Sequence, residues 1–466
     1  MTRPTLLAFT IGALMALPTA HAAVDLVAMD QLGADQSDLS TDTAAPLENG
    51  VAGNQLGGLG SGLAYAGNGT FLAVPDRGPN AVPYNAAVSD TASYIDRLQT
   101  IAMTLTPAAP GSALPFVLTP QLVGTTLLHA TEALAYGDGV SAGLASGAPA
   151  LNATNHTHYF TGRSDNFLAS RLSTNPYDAR MDPEGIRVSN DGRSVYVSDE
   201  YGPYVYKFDR QTGVRTGTYA LPPMFAVKQL SAISNDEIAN NTAGRVANKG
   251  MEGLAITPDG RFLVGAMQSP LLQDGGTAAQ YTRIVRIELA TGTVRQFAYP
   301  LTNIGTAAKP KYPTISELLA INDHEFLVDE RDGKGFGDGS TTAYKQIWRI
   351  DLSGAVPVDH VTGETSLATR ALSKTLFLDL VATLNAHGIA STEIPAKLEG
   401  MSFGPDIRVH GVRKHTLFVS NDNDFVGTVT DALHPAGAAN PNRFFVFAIE
   451  DSDLPGYIPQ HLANPG

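Results

Sequence analysis

Cysteine does not occur in the 466 residues, so no disulfide and no thiolate metal site can form. Basic residues are scarce. Lys and Arg number 31 against 45 Asp and Glu, for a formal charge of -14. Phosphate contacts need clustered Lys and Arg, so a nucleic-acid partner is not expected. The acid excess has two readings. Carboxylate oxygens suit divalent cations, and acidic surfaces also keep proteins in solution. Long apolar runs are missing as well. The run from Leu6 to Leu17 is too short to span a bilayer, and no later stretch is apolar enough for a membrane helix.

That early run reads as a targeting segment. Arg3 precedes it, and Ala20-His21-Ala22 follows as an A-x-A cleavage site. Residues 1–22 are therefore expected to be a signal peptide, with the mature chain starting at Ala23. The protein is expected in the periplasm or outside the cell. Arg3 is the only charge lost, so the mature chain stands at -15. Without disulfides its stability has to come from its core, with bound metal as a second source.

What the chain does contain is a repeated phrase, carboxylate-glycine-aliphatic. Clear copies are Glu184-Gly185-Ile186, Glu252-Gly253-Leu254 and Glu399-Gly400-Met401. Looser ones are Ser61-Gly62-Leu63, Glu132-Ala133-Leu134 and Glu317-Leu318-Leu319. Their first residues lie 71, 52, 68, 65 and 82 positions apart. Self-similarity at this scale points to a propeller or an array. Six units of about 70 residues account for nearly all of residues 23–466, so a single domain suffices.

Each unit reads as antiparallel β. In the best-formed one, Gly185 to Val188 leads into the Asn190-Asp191-Gly192 turn. Ser194 to Ser198, Tyr204 to Phe208 and Arg215 to Ala220 follow as alternating strands. Four such strands make one blade. The pattern predicts an all-β, six-bladed β-propeller over roughly Leu56 to Glu450, closed by N- and C-terminal strands within one blade. One helix is predicted over Leu372 to His387, from Leu376, Leu380 and Leu384 at helical spacing.

The first strand of each blade lines the channel. Glu132, Glu184, Glu252, Glu317 and Glu399 are then expected to ring one mouth. Crowded carboxylates repel unless a cation or proton is shared, and Ca²⁺ accepts six to eight oxygens in irregular geometry. The alternative is that each Glu bonds backbone N–H groups of a neighbouring blade. Charged pairs close the second strands: Asp76-Arg77, Asp199-Glu200 and Glu330-Arg331, with Met267-Gln268 in the same place. Arg77 and Arg331 can grip a phosphate or carboxylate, or neutralise the Glu ring.

Other motifs carry less. Asn421-Asp422-Asn423-Asp424 and the Gly-rich stretch Asp332 to Asp338 offer oxygen ligands, but turns explain them equally well. Gly400-Met401-Ser402-Phe403-Gly404 fits G-x-S-x-G, yet it lies in an inner strand rather than on a strand-turn-helix elbow. His156 and His158 lack a third ligand, and a solvated loop is the better reading.

Together these phrases resemble the phytase-like family, "esterase-like activity of phytase". The resemblance rests on Gly57 to Leu63, Asp76-Arg77-Gly78, Asp182-Pro183-Glu184-Gly185, Ser198 to Gly202 and Lys249 to Ala255. It continues through Tyr299-Pro300-Leu301, Ile315 to Leu319, Glu330-Arg331, Glu399-Gly400-Met401 and Asn421 to Phe425. The order is kept from Gly57 to Ile449. Two departures are one inserted residue in the opening glycine phrase and Met251 where the family has an aromatic. The resemblance implies hydrolysis of an ester or phosphoester. The similar architecture of β-propeller phytases implies Ca²⁺, with Lys and Arg on phosphate.

The expectation is an exported, metal-dependent hydrolase acting as a monomer on a small-molecule ester or phosphoester. Glu184, Glu252, Glu317, Glu399 and Glu132 would hold the metal. Glu200 or Glu330 would be the general base, and Arg77 or Arg331 would hold the anion. The rival is a non-enzymatic propeller that binds a ligand, an envelope component or a protein at its channel mouth.

Overall fold

The computed structural model describes residues 24–80, 91–137, 149–153, 156–168 and 175–463. The expected signal peptide lies outside the described residues. Among them, strands build five antiparallel sheets around one axis, four of four strands and one that gains a fifth, the short Ile407–Val409. Blade 1 runs through Gly62–Gly67, Thr70–Val74, Arg97–Pro107 and Phe116–Leu127. Blade 2 is Pro183–Val188, Ser194–Asp199, Tyr204–Asp209 and Arg215–Ala220. Blade 3 is Met251–Ile256, Phe262–Met267, Tyr281–Glu288 and Val294–Pro300. Blade 4 is Thr314–Ala320, Glu325–Arg331, Lys345–Asp351 and Lys374–Asp379. Blade 5 takes Leu398–Phe403, Val412–Asn421 and Asn442–Ile449, and the N-terminal strand Asp25–Leu32 completes it.

The chain ends therefore close the ring within one blade, as expected. Asp25–Leu32 pairs antiparallel with the last long strand, from Asp25 opposite Ala448 to Leu32 opposite Asn442.

Burial follows position within the blade. The inner strands Pro183–Val188 and Met251–Ile256 are buried at every residue. They have neighbours on both faces, so burial does not alternate along them. The outermost strand Arg215–Ala220 alternates between half-buried and exposed, because one face meets water.

Five apolar clusters fill the five seams. Leu72 and Val74 of blade 1 pack with Ile186 and Val197 of blade 2. Tyr196 and Val205 meet Leu254 and Leu263. Val264 and Phe297 meet Leu318 and Val328. Leu319 and Leu327 meet Met401 and Leu417. Phe418 and Val446 meet Leu63 and Phe71.

This corrects the expected count of six blades to five. Glu132-Ala133-Leu134 does not open an inner strand. Among the described parts of residues 128–182, regular β-pairing is one two-residue ladder, His129–Ala130 with His158–Tyr159, plus isolated bridges. The inner strands of blades 1 and 2 already touch. A Cβ on Gly62 would lie 2.2 Å from the Glu184 carbonyl oxygen, so no sixth strand fits between them. The expected helix is also shorter. Residues Lys374–Asp379 form the outer strand of blade 4, and the helix is Leu380–Ala386, capped by the Asp379 carboxylate.

The glycine of the phrase has a steric reason. A Cβ on Gly253 would stand 2.8 Å from Leu318 N and the Glu317 carbonyl carbon of blade 4. One on Gly185 would stand 2.7 Å from Leu254 N of blade 3. Neighbouring backbones pass so closely that only hydrogen fits. The register also slips at this point, between Pro183 and Ile186, Met251 and Gly253, Ile315 and Glu317, and Leu398 and Met401. Such bulges re-aim a side chain, here the glutamate.

One buried acid couples the fold to pH. Asp329 lies in the second strand of blade 4, fully buried, with neither oxygen hydrogen-bonded. Burial pushes its carboxyl up to about 8, against the pull of Arg331 and Lys345. An unfolded Asp titrates near about 3.9. Between those values the folded chain holds the extra proton, so stability falls as pH rises. Urea midpoints are expected to drop from pH 5 to pH 8. Asp329→Asn should lose at least about 1.4 kcal/mol less over that span, the worth of one pK unit. Identical pH slopes for the two proteins would show that Asp329 titrates normally.

Candidate active site

Within each antiparallel blade, the start of the inner strand and the end of the second strand lie at the same end. Side chains from both positions meet over the axis. Glu184, Glu252 and Glu399 come from the inner strands of blades 2, 3 and 5. Asp76, Glu200, Gln268, Arg331 and Asp422 stand where the second strands of blades 1 to 5 finish. With Arg77, Lys249 and Lys397 they line a cavity of about 390 Å³.

The glutamates converge. Glu184, Glu252 and Glu399 each place a carboxylate oxygen within 4.8 Å of the others, and all three are buried. Asp182, Glu184 and Glu200 do the same, as do Asp76, Asp422 and Asp424. Burial first, and the Glu252 charge second, hold the Glu184 carboxyl well above the usual range. Glu252 is raised by burial and by Glu200. Glu200 is pushed up to about 7, mainly by burial and by Asp182, with Arg77 opposing. Asp422 also reaches about 7 through burial, with Lys397 opposing.

The three acidic triads are not equally open to a cation. Lys397 already bridges Asp422, at 2.7 Å, and Asp424. Arg77 holds Asp182 through Nη1 at 2.8 Å and lies 4.0 Å from Glu200. At the third triad, Arg331 pairs with Glu399 and reaches only to 3.9 Å from Glu252. Glu184 and Glu252 face each other with little compensation, and Glu252 Oε2 is buried without a hydrogen-bond partner. A buried carboxylate left this way is costly. The donor set, three carboxylates with irregular spacing, fits Ca²⁺.

Other expected residues go elsewhere. Glu317 is fully buried but does not line the cavity. Its Oε1 accepts hydrogen bonds from Leu254 N of blade 3 at 3.0 Å and from Leu318 N at 2.9 Å, and its Oε2 pairs with Arg187 at 3.1 Å. It plays the inter-blade role weighed above as the alternative. Glu132 is exposed on the stretch between blades 1 and 2, away from the ring. Glu330 precedes Arg331, so the pleat turns it to the other face. There it accepts from Tyr299 Oη at 2.7 Å and Tyr344 Oη at 2.6 Å and pairs with Lys374. The same alternation puts Glu200 in the cavity and Asp199 behind it.

The weaker motifs resolve in similar ways. In Asn421 to Asp424 the residues divide. Asn421 accepts from Arg443 N at 2.6 Å and Asn423 from Gly58 N at 2.9 Å, while the two Asp residues pair with Lys397. Asp332 organises its loop through Thr342, Ala343 and Tyr344. The Ser402 hydroxyl accepts from Tyr65 N at 2.8 Å and donates to Phe403 O at 3.0 Å. It lines a separate cavity of about 120 Å³ near Tyr457 to Gln460. His156 and His158 join none of the metal-competent groups found among the described residues.

Sequence reasoning missed Lys397 and the cavity role of Gln268. Lys397 had a usable signal, a cation two residues before Glu399. Gln268 holds the position that Glu200 and Arg331 hold in their blades.

Fold and site thus define a five-bladed β-propeller with an acidic, cation-laced mouth. The chain belongs to the phytase-like family described as "esterase-like activity of phytase", whose model matches residues 54–425. An "Uncharacterized secreted protein" of Arthroderma benhamiae is 29% identical over 329 residues, which span 60% of each chain. The periplasmic gluconolactonase of Pseudomonas aeruginosa overlaps at 12% identity and a TM-score of 0.34, covering 92% of this chain and all of that one. The major allergen of Malassezia sympodialis overlaps at 9% identity and a TM-score of 0.35, covering 87% and 80%. No helix among the described residues is long and apolar enough to cross a membrane.

If the glutamate triad holds calcium, the ion binds the folded chain and raises its melting temperature. A concentration of a hundred times the dissociation constant stabilises by about 2.7 kcal/mol. Glu252→Gln is expected to abolish most of that response. A melting temperature indifferent to chelator, with no calcium detected in purified protein, would mark the triad as structural.

Proposed function

We propose that the protein is an exported, calcium-dependent hydrolase of small esters or phosphoesters. The observation that carries this reading is the unpartnered Glu252 oxygen, buried against Glu184 and Glu399 at a cavity that also holds Glu200 and the cations of Arg77, Lys249, Arg331 and Lys397. Glu184, Glu252 and Glu399 would hold the ion. When bound, Ca²⁺ supplies Lewis-acid polarisation of the substrate oxygen and acidifies water.

The chain's own groups do the rest. Glu200, with its carboxyl near neutrality, takes a proton from the attacking water as the new bond to carbon or phosphorus forms. It returns that proton to the leaving alkoxide as the ester bond breaks. A pKa close to the working pH suits both transfers. Arg77 and Lys249 border the cavity and attract the developing negative charge. Glu330, sealed among Tyr299, Tyr344 and Lys374, is no longer a candidate base.

Turnover of a panel of carboxylic and phosphate esters, with and without chelator, tests the reading. Glu252→Gln should reduce it at least tenfold, about 1.4 kcal/mol of transition-state stabilisation. Ser402→Ala should stay near wild type per folded molecule. The reverse pattern would identify a serine esterase. No turnover at all, with calcium present and the fold intact, would leave a ligand-binding propeller.

Export is part of the same proposal, with residues 1–22 removed and residues 23–466 as one domain. The n-region, apolar run and Ala20-His21-Ala22 motivate it. N-terminal sequencing of exported protein is expected to start at Ala23, and a retained Met1 would count against it.

A further inference from the structure

A second cavity, of about 130 Å³, adjoins the acidic one and shares Arg77 and Asn248 with it. Three guanidinium groups border it, from Arg77, Arg180 and Arg245. Two of them are engaged. Arg77 holds Asp182 and Asn248. Arg245 pairs with Glu237 at 3.1 Å and donates to the Tyr201 and Val246 carbonyls at 3.3 Å each.

Arg180 differs. It is 4% exposed, and among the described residues no carboxylate lies within ion-pair distance of it. Its Nη1 donates to Ser164 O at 3.4 Å, a long bond, and Nη2 has no hydrogen-bond partner. The attractive charges around it, Glu237, Asp199 and Asp178, act from a distance and are opposed by Arg245. A buried guanidinium without a counter-ion is costly, so the group points to an anionic ligand.

The plain structural reading is that Arg180 is a stacking staple. Its guanidinium lies 4.9 Å from the Phe167 ring and 5.2 Å from the Tyr201 ring. Stacking uses the flat faces and leaves the edge donors free. Arg180 also borders the cavity, and its Nη2 is left without an acceptor. A guanidinium edge matches the two oxygens of a carboxylate or phosphate.

We propose that this side cavity is a binding subsite for a compact oxyanion, a carboxylate or a phosphate group, held by Arg180. Glu237 is already neutralised by Arg245, so the guanidinium excess in the cavity is one charge. The shared wall of Arg77 and Asn248 links the two cavities. Resting on the hydrolase reading above, the subsite would take the anionic end of a substrate whose scissile ester lies beside Glu184 and Glu252. The substrate class narrows to esters that carry a second, negatively charged group.

The anion site can be tested without the metal site. Inorganic phosphate and acetate are titrated calorimetrically into the full chain with chelator present, so that failure of the calcium reading leaves the result unchanged. Wild type is expected to bind one or both saturably. Phosphate alone would assign a phosphate subsite, and acetate alone a carboxylate subsite. Arg180→Gln should weaken binding at least tenfold. Ile238→Trp is a second variant that spares Arg180. Ile238 is 64% exposed at the cavity edge, so tryptophan there fills the entrance without disturbing the core, and binding should be lost. No saturable binding of either anion by wild type would overturn the proposal. So would binding that survives unchanged in Ile238→Trp, because the anion would then sit elsewhere.

Discussion

One guanidinium sets the geometry of the channel. Arg187 extends from the inner strand of blade 2 and is almost fully buried. It donates to Leu63 O of blade 1 at 2.9 Å and to Leu318 O of blade 4 at 2.8 Å, and it pairs with Glu317. Glu317 in turn accepts from Leu254 N of blade 3. Four of the five inner strands are thereby joined through one ion pair. Such a pair is tolerated inside a protein only when further hydrogen bonds satisfy it. Here the open inner edges of the strands provide them, which lets strands of four separate sheets converge so closely.

The acidic mouth follows from that convergence. Inner strands this close, each bulged at the same point, bring Glu184, Glu252 and Glu399 within a few ångströms of one another. Burial then raises the proton affinity of Glu184 and Glu252, and Arg331 offsets part of the repulsion. The arrangement is costly to the fold, and its oxygen donors are of the kind that suits a cation. The basic side cavity lies behind Arg77.

Much of the blade structure was legible in the residues. Alternation and Asp-Gly turns placed the strands of blade 2 within a residue or two of those observed, because each depends on local pleat and turn chemistry. Gly192, in the first of those turns, has φ near +70°, a conformation that favours glycine. The blade count was not legible. Glu132-Ala133-Leu134 resembles the phrase, and nothing local says that the ring closes without it. The helix was overextended for a related reason. Leu376 sits at helical spacing from Leu380, yet its backbone is claimed by pairing with Trp348 at the edge of blade 4.

The site divides along the same line. The repeated glutamate, its glycine and the charged strand ends are properties of the chain, since each arises from one strand and its bulge. The choice of Arg331 over Glu330 was implicit in the alternation of the second strand. What only the tertiary structure decided is which carboxylates meet. Glu184, Glu252 and Glu399 share a cavity because three separate blades aim them at it. Glu317, written in the same phrase, is diverted by Arg187 from 130 positions away in sequence. Lys397, Asp422 and Arg180 take their roles from neighbours brought in by ring closure. Local sequence determines where a side chain leaves its strand, and long-range packing determines what it finds there.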